Sequence, residues 1–170
     1  RLKSVNWFGA EGTNYTPHGT WIRPWREIID QIADFGFNCI RIPFSGDFCA
    51  TGRTIPETAL DEEANADLVG LTALQVLDLY IDYCTTKGIY IVLDHHRRTA
   101  GAGPDGSPVG SGYTVTNWIN NWLVLANRYK DNTTVVGADV HNEPHDLTWS
   151  AWADYAEQCG NAIHAVAPNW

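Results

Sequence analysis

The chain alternates short apolar runs with longer stretches in which apolar residues recur at helical spacing. The apolar runs predict strands at residues 4–9, 39–44, 89–93 and 135–140, because they are short and bounded by turn residues. The helical pattern predicts helices at 21–35, 71–87 and 115–129, and a fourth whose apolar positions run from Trp152 to Val166, ending near Pro168. This alternation is typical of β/α units on a parallel sheet.

Four consecutive β/α units favour a barrel over an open sheet. The turn after the first strand reads NWFGAEG, which lacks the GxGxxG pattern of a dinucleotide-binding sheet. A complete (β/α)8 barrel needs about 250 residues, and the chain has 170. We therefore predict an α/β fold in which residues 1–170 are one unit, the first four β/α units or N-terminal half of such a barrel.

Composition narrows the classes of partner. The net charge of −9 and the pI near 4.9 disfavour nucleic acid and anionic membranes, which need a basic patch. No run of about 18 apolar residues and no signal peptide is present, so we expect a soluble protein, secreted with its signal removed. The four cysteines form no CxxC pair; one or two disulfides are compatible with them, and all three full pairings stay open.

Polar residues that can carry or exchange protons follow the predicted strands. They are Arg41 in the second, Asp94, His95 and His96 after the third, and His141, Asn142 and Glu143 after the fourth. The carboxyl ends of barrel strands open into one shared mouth, so these residues should meet there. We expect Glu143 to be partly desolvated, which would tune its carboxyl as a general acid, and Arg41 to need a carboxylate partner. His96 either joins this group or is a hydrogen-bonded core histidine.

The motifs IRIPF, LDHHR and HNEPH stand in this order at three successive strand ends. Together with HGTWIRPWREIIDQIADFGFNCIRIPFS and TVVGADVHNEPHD, they closely resemble glycoside hydrolase family 5, the cellulase family, and within it the bacterial endo-β-1,4-glucanases. The resemblance covers almost the whole chain. It implies a retaining enzyme that hydrolyses a β-glucan and requires no cofactor.

The resemblance also implies a role for individual residues. Glu143 would be the acid/base, and Asn142 would bind the sugar's 2-hydroxyl group. Arg41 and His96 would hold the partner carboxylate ionised and in place. Three further residues are candidates for substrate contact, although Trp21 could instead pack the first helix: His18, Trp21 and His95. The tryptophans at helical spacing are predicted to be core residues, namely Trp118, Trp122 and Trp152.

A retaining mechanism needs a second carboxylate as the nucleophile. Asp94, Asp139 and Asp146 do not match the nucleophile's motif, which in the family ends the seventh strand. We therefore expect that the chain alone does not hydrolyse glucan. A half-barrel also has two unpaired sheet edges, so we expect self-association or pairing with the missing C-terminal half.

Two other functions are compatible with the sequence. A metal-dependent hydrolase would use ligands from the set His95, His96, His141, Glu143 and His145. Against it, adjacent histidines on an extended chain point to opposite faces, and Pro144 makes a helical pair of His141 and His145 implausible, so no metal site is predicted. The second alternative is a carbohydrate-binding half-barrel that has no catalytic activity.

Overall fold

Four parallel strands form one sheet in the order in which they occur along the chain. A computed structural model describes residues 1–101, 103 and 105–170. The strands are β1 (Ser4–Asn6), β2 (Cys39–Ser45), β3 (Tyr90–Arg97) and β4 (Val135–Asp139). This consecutive order, without a reversal, is the order expected of a barrel, and an open doubly wound sheet is absent from the described residues.

Each strand is followed by a helix. The helices are α1 (Trp25–Asp34), α2 (Ala73–Lys87), α3 (Val115–Tyr129) and α4 (Trp149–Val166). Three short 3-10 helices lie between β2 and α2, at Gly46–Cys49, Glu57–Ala59 and Ala66–Leu68. All eight predicted elements are found, and the bounds predicted for α3 are confirmed. Positions 102 and 104, between β3 and α3 in sequence, lie outside the described residues.

The predicted start of the first helix is wrong by four residues. Helix α1 begins at Trp25 because Pro24 holds an extended conformation, with φ −57° and ψ 127°, and a proline disfavours helix at the residue before it. The first helical amide is satisfied by the buried side chain of Asn65, whose Oδ1 accepts from the Trp25 amide at 2.8 Å. This helix start therefore depends on a residue that is forty positions away in sequence.

The residues on the two faces of β2 and β3 differ in character. Ile40, Ile42 and Phe44 alternate with Arg41 and Pro43, and all three are at most 1% exposed. They form the core with Ile91 and Leu93 of β3 and with the fully buried Trp118 and Trp122 of α3. Trp152, also predicted to be a core residue, is partly buried against this cluster. One face of the sheet thus supplies the apolar core, which leaves the other face free for polar side chains.

The register of β2 and β3 shifts near their carboxyl ends. Phe44 pairs with His95, and Ser45 pairs with Arg97, so His96 is an extra residue on β3. Such a bulge re-aims side chains and is common beside active sites. It lies where the second and third strands carry their polar residues.

The one or two disulfides that the sequence left open are not formed, because all four cysteines are free and buried. They are Cys39, Cys49, Cys84 and Cys159. Burial raises the pKa of three of these thiols, Cys49, Cys84 and Cys159. Among the residues that the structure describes, no helix is both long and apolar enough to cross a membrane.

Candidate active site

The site is built around a buried carboxylate, Asp94, at the end of β3. Its side chain is fully buried, and its Oδ2 accepts a hydrogen bond from His96 Nδ1 at 2.6 Å. Its Oδ1 makes an ionic contact with Arg41 Nη2 at 3.0 Å, without hydrogen-bond geometry. Burial raises the pKa of Asp94, while the hydrogen bond from His96 and the charge of Arg41 oppose that shift. Asp94 therefore fixes both the ring of His96 and the guanidinium of Arg41.

Arg41 links three strands through its guanidinium group. Its Nε and Nη2 donate to Asp139 Oδ2 at 3.0 and 2.7 Å. Nη2 also lies 3.0 Å from Asn142 Oδ1. Because the amide oxygen of Asn142 faces the arginine, its Nδ2 group is left to donate elsewhere. This is the orientation that a hydrogen bond from Asn142 to a sugar hydroxyl requires.

A pocket of about 530 Å³ lies at the carboxyl ends of the strands. Four predicted site residues line it together, namely His18, His96, Asn142 and Glu143. Glu143 follows β4 with a φ of 44°, in the left-handed region, which costs a non-glycine residue about 1–3 kcal/mol. Residues with such backbone strain cluster at functional sites. Arg41 is not on the pocket wall but supports it through Asn142 and Asp94.

The environment of Glu143 differs from the prediction. The side chain of Glu143 is exposed. The prediction that it is partly desolvated is therefore wrong within the part of the chain that the structure describes. The reason is that β4 ends at Asp139, four residues before Glu143, and the turn carries the carboxylate to the rim of the pocket. Glu143 nevertheless shares that rim with His96 and Asn142.

The first β/α connection contributes an aromatic edge to the pocket. The ring of His18 contacts Phe8 and Trp21 edge to face, with ring centroids 5.0 and 4.8 Å apart. Phe8 is 57% exposed and lines the pocket, whereas Trp21 is 39% exposed and does not line it. The helix-packing alternative for Trp21 is weakened, because α1 begins four residues later.

His95 lies away from the pocket. It is fully buried on the helix-facing side of β3, where its ring contacts Phe44 and Trp118. Its neighbour His96 bonds Asp94 on the opposite side, as the alternation of an extended strand requires. The structure therefore does not place His95 where it could touch a substrate.

A model of the family described as "Cellulase (glycosyl hydrolase family 5)" matches residues 2–170. The chain belongs to glycoside hydrolase family 5. The predicted family membership is confirmed, and so is the prediction that these four β/α units are part of a (β/α)8 barrel.

Relatives in family 5 include bacterial endoglucanases. The chain is 42% identical over 177 residues to the endoglucanase of Paenibacillus polymyxa, matching 99% of the chain and 44% of that protein. It is 41% identical over 179 residues to the major extracellular endoglucanase of Xanthomonas campestris, matching 100% of the chain and 36% of that protein. The chain thus spans less than half the length of these two relatives.

Solved structures of family 5 members give the same picture. The catalytic domain of the Xanthomonas campestris endoglucanase superposes with a TM-score of 0.92 and 39% identity, over 99% of this chain and 50% of that one. A variant of the Pyrococcus horikoshii endocellulase in complex with cellotetraose superposes with a TM-score of 0.89 and 34% identity, over 99% and 49%.

Sequence analysis placed Asp94 at the shared mouth without its role, and it did not find Glu11 or Asp105. The role of Asp94 as the shared partner of Arg41 and His96 depends on the register of β2 and β3. Glu11 and Asp105 lie in loops and also line the pocket. The sequence signal for Asp94 was its place in LDHHR, two residues before His96 on the same face of the strand.

The histidines named for the metal alternative lie in different environments. His95 and His141 are buried, whereas His145 is exposed at the rim. Among residues 1–101, 103 and 105–170, no group of three or more His, Cys, Asp or Glu side chains is arranged to hold a metal ion.

We expect folding stability to fall as the pH drops below 6.5. Burial lowers the pKa of His95 well below 6.5 and also lowers the pKa of His141, with the positive Arg98 nearby adding to the effect. The unfolded chain therefore binds protons below pH 6.5 that the folded chain excludes, and stability present above that pH is lost as it falls. For His95 alone the loss at pH 5 is at most about 2 kcal/mol, the limit set by an unfolded-state pKa of about 6.5.

Urea unfolding at pH 7.5 and pH 5.0 measures this loss. His95→Gln should reduce the difference in unfolding free energy between the two pH values, by at most about 2 kcal/mol, since glutamine does not titrate. The control, His164→Gln, alters an exposed histidine and should leave the difference unchanged. If His95→Gln shows the same pH dependence of stability as the parent, His95 is not a source of that dependence and the prediction is wrong.

Proposed function

We propose that residues 1–170 form the N-terminal half of the catalytic barrel of a secreted, retaining endo-β-1,4-glucanase. The observation that carries the proposal is the pocket in which His18, His96, Asn142 and Glu143 meet, above the network of Arg41 and Asp94. Two relatives named endoglucanase, one of them extracellular, support the choice of a glucan substrate and of secretion.

In the proposed mechanism Glu143 acts first as an acid and then as a base. It protonates the leaving glycosidic oxygen and later takes a proton from the attacking water. Its position on the pocket rim gives it access to both. Asn142 donates through Nδ2 to the sugar's 2-hydroxyl group, an interaction that strengthens in the oxocarbenium-like transition state.

His96 and Arg41 position the nucleophilic carboxylate. His96 donates to Asp94 through Nδ1, so its Nε2 is the ring nitrogen that remains for a second partner. Arg41 keeps a positive charge beside the site, which favours the ionised form of a neighbouring carboxylate. No cofactor takes part in this scheme.

Apart from Glu143, which is assigned as the acid/base, the carboxylates of the described pocket residues are already bonded within the protein. Glu11 Oε2 accepts a hydrogen bond from the Gly9 amide at 2.6 Å. Asp105 is paired with Arg98 and only 6% exposed. We therefore propose that the chain alone does not turn over glucan, and that the nucleophile comes from the complementary half of the barrel, which pairs with the outer edges of β1 and β4.

Cellotetraose titration of the purified chain by calorimetry tests the proposed site. His96→Ala and Asn142→Ala should each weaken binding about tenfold, because each removes a hydrogen-bonding group from the pocket. Asn127→Ala, an exposed change on α3, should leave binding unaltered. Equal affinity in all four proteins would place any binding outside this pocket and contradict the proposal.

The same samples test the lack of turnover. Incubation with carboxymethyl-cellulose should release no reducing ends above buffer. Release that disappears in Glu143→Gln would show that the chain carries its own nucleophile. Binding through the exposed aromatic rings of Phe8 and Trp21 is the basis for the remaining alternative, a carbohydrate-binding unit without catalysis.

A further inference from the structure

A chain of hydrogen bonds runs through the core beside the pocket. It begins at Asn121 on α3, whose Nδ2 donates to the hydroxyl of Tyr113 at 2.6 Å. That hydroxyl lies 3.2 Å from His95 Nε2, and His95 Nδ1 lies 3.0 Å from His141 Nδ1. The chain ends at the backbone carbonyl of Asp105, 2.6 Å from His141 Nε2. We call these five residues the histidine relay.

The carbonyl end of the histidine relay fixes the proton on Nε2 of His141, and the other proton positions follow if both rings are neutral. A carbonyl oxygen only accepts, so His141 must carry its proton on Nε2 and, being neutral, accepts at Nδ1. His95 must then donate from Nδ1 and accept at Nε2 from Tyr113. The hydroxyl of Tyr113 is thereby left to accept from Asn121, which is the donor found there. Burial lowers the pKa of both His95 and His141, which favours their neutral forms. With both rings neutral, one arrangement satisfies all four contacts.

The histidine relay holds the loop after β3 against the turn that carries Glu143. The backbone carbonyl of Asp105 accepts a hydrogen bond from His141, and the Asp105 carboxylate pairs with Arg98. The carbonyl oxygen of the next residue, Gly106, accepts a hydrogen bond from the His145 amide at 2.8 Å. His145 in turn donates from Nδ1 to the carbonyl of Glu143 at 2.6 Å. A continuous series of hydrogen bonds therefore runs from the core to the left-handed backbone of Glu143.

The contact at Gly106 has no spare room. A Cβ atom added there would lie 2.6 to 2.7 Å from the ring of His145. His141 is equally confined, being 2% exposed between the rings of Trp118 and Trp152. Both ring nitrogens of His141 are occupied, although it immediately precedes Asn142 and Glu143 in sequence. A side chain that packed apolar neighbours alone would need neither hydrogen bond.

We propose that His141 is a positioning residue for Glu143, acting through the 105–106 segment and His145. The inference rests on the proposed role of Glu143 in the pocket. Histidine suits the position because a neutral imidazole accepts at one nitrogen and donates at the other. Glutamine offers the same pair of groups, an acceptor and a donor, whereas phenylalanine offers only the shape.

Nuclear magnetic resonance of the whole 170-residue chain tests the proposal without a ligand. In the parent, nitrogen-15 shifts should show His95 as the Nδ1–H tautomer and His141 as the Nε2–H tautomer. His141→Phe should make the His145 amide exchange with solvent about tenfold faster, which is the effect of losing about one hydrogen bond. His141→Gln should keep the exchange rate of the His145 amide within about twofold of the parent and retain the His95 tautomer. The reason is that glutamine can make the same hydrogen bonds.

A matched control separates positioning from a general loss of stability. Tyr129→Phe removes another buried hydroxyl, one that donates to Asp78 at 2.8 Å. It should leave both tautomers and the His145 exchange rate unchanged, whereas Tyr113→Phe should disturb them. An unchanged His145 rate in His141→Phe, or an Nε2–H tautomer of His95 in the parent, would overturn the proposal.

Failure of the proposed function gives a different result. A chain with the expected tautomers and exchange rates that binds no cellotetraose keeps the histidine relay and loses the glucan site. A chain that binds cellotetraose equally well as parent and as His141→Phe, with unchanged exchange, keeps the site and loses the positioning role.

Discussion

Replacement of Glu143 by glutamine should lower kcat about 10²- to 10⁴-fold in a barrel completed with a nucleophile, since general acid catalysis contributes about that much. Such a barrel can be made by joining residues 1–170 to the part of the Xanthomonas campestris catalytic domain that lies beyond the matched half. The TM-score of 0.92 makes this domain a suitable donor. The measurement is the release of reducing ends from carboxymethyl-cellulose.

The leaving group should determine how severe the defect of Glu143→Gln is. An activated aryl group leaves a cellobioside without needing a proton. Cleavage of that bond should therefore be much less impaired than cleavage of cellulose. Glu157→Gln makes the same change of charge at an exposed position on α4 and should retain full activity. If Glu143→Gln keeps activity on cellulose within tenfold of the parent chimera, another residue is the acid.

Replacement of Asp94 by alanine should destabilise the chain by about 3–5 kcal/mol, because it removes the fully buried partner of an ion pair. Asp94 is fully buried, and its loss would leave both Arg41 and His96 without their shared partner. The free energy of unfolding in urea at pH 7.5 measures the effect.

Asp139 provides the matched comparison for Asp94. It pairs with the same arginine at 2.7 Å, but its side chain is 40% exposed, so water can replace it. Asp139→Ala should therefore cost only about 0–1 kcal/mol, as exposed ion pairs do. Similar losses in the two variants would mean that Asp94 has no special place in the network.

Local signals were sufficient to predict some elements and not others. Helix α3 was predicted with its bounds, and its start is fixed locally by a capping box between Thr114 and Asn117. Helix α1 was predicted to start too early, because its first amide is satisfied by Asn65 from a distant loop. The apolar pattern predicts that a helix exists, but its ends depend on which partners the fold brings to them.

The same distinction applies to the site. Strand-end positions alone predicted that His96, Asn142 and Glu143 would meet, because parallel strands open at one edge. The sequence could not show that Asp94 is the shared partner of Arg41 and His96, since that depends on pairing across strands. It also could not show that His95 is the histidine that faces the helices, where its hydrogen bonds reach Tyr113 and His141.

The neighbouring histidines of β3 have a practical consequence for redesign. His96 faces the pocket and His95 faces the helices, although one peptide bond separates them. Libraries that vary pocket-facing positions can therefore change the pocket while the core side chains on the helix-facing side of β3 stay unchanged. A change at His95 would instead lower the thermal stability of the protein. A screen for new specificity would then reject the variant because it unfolds, although its pocket is unchanged.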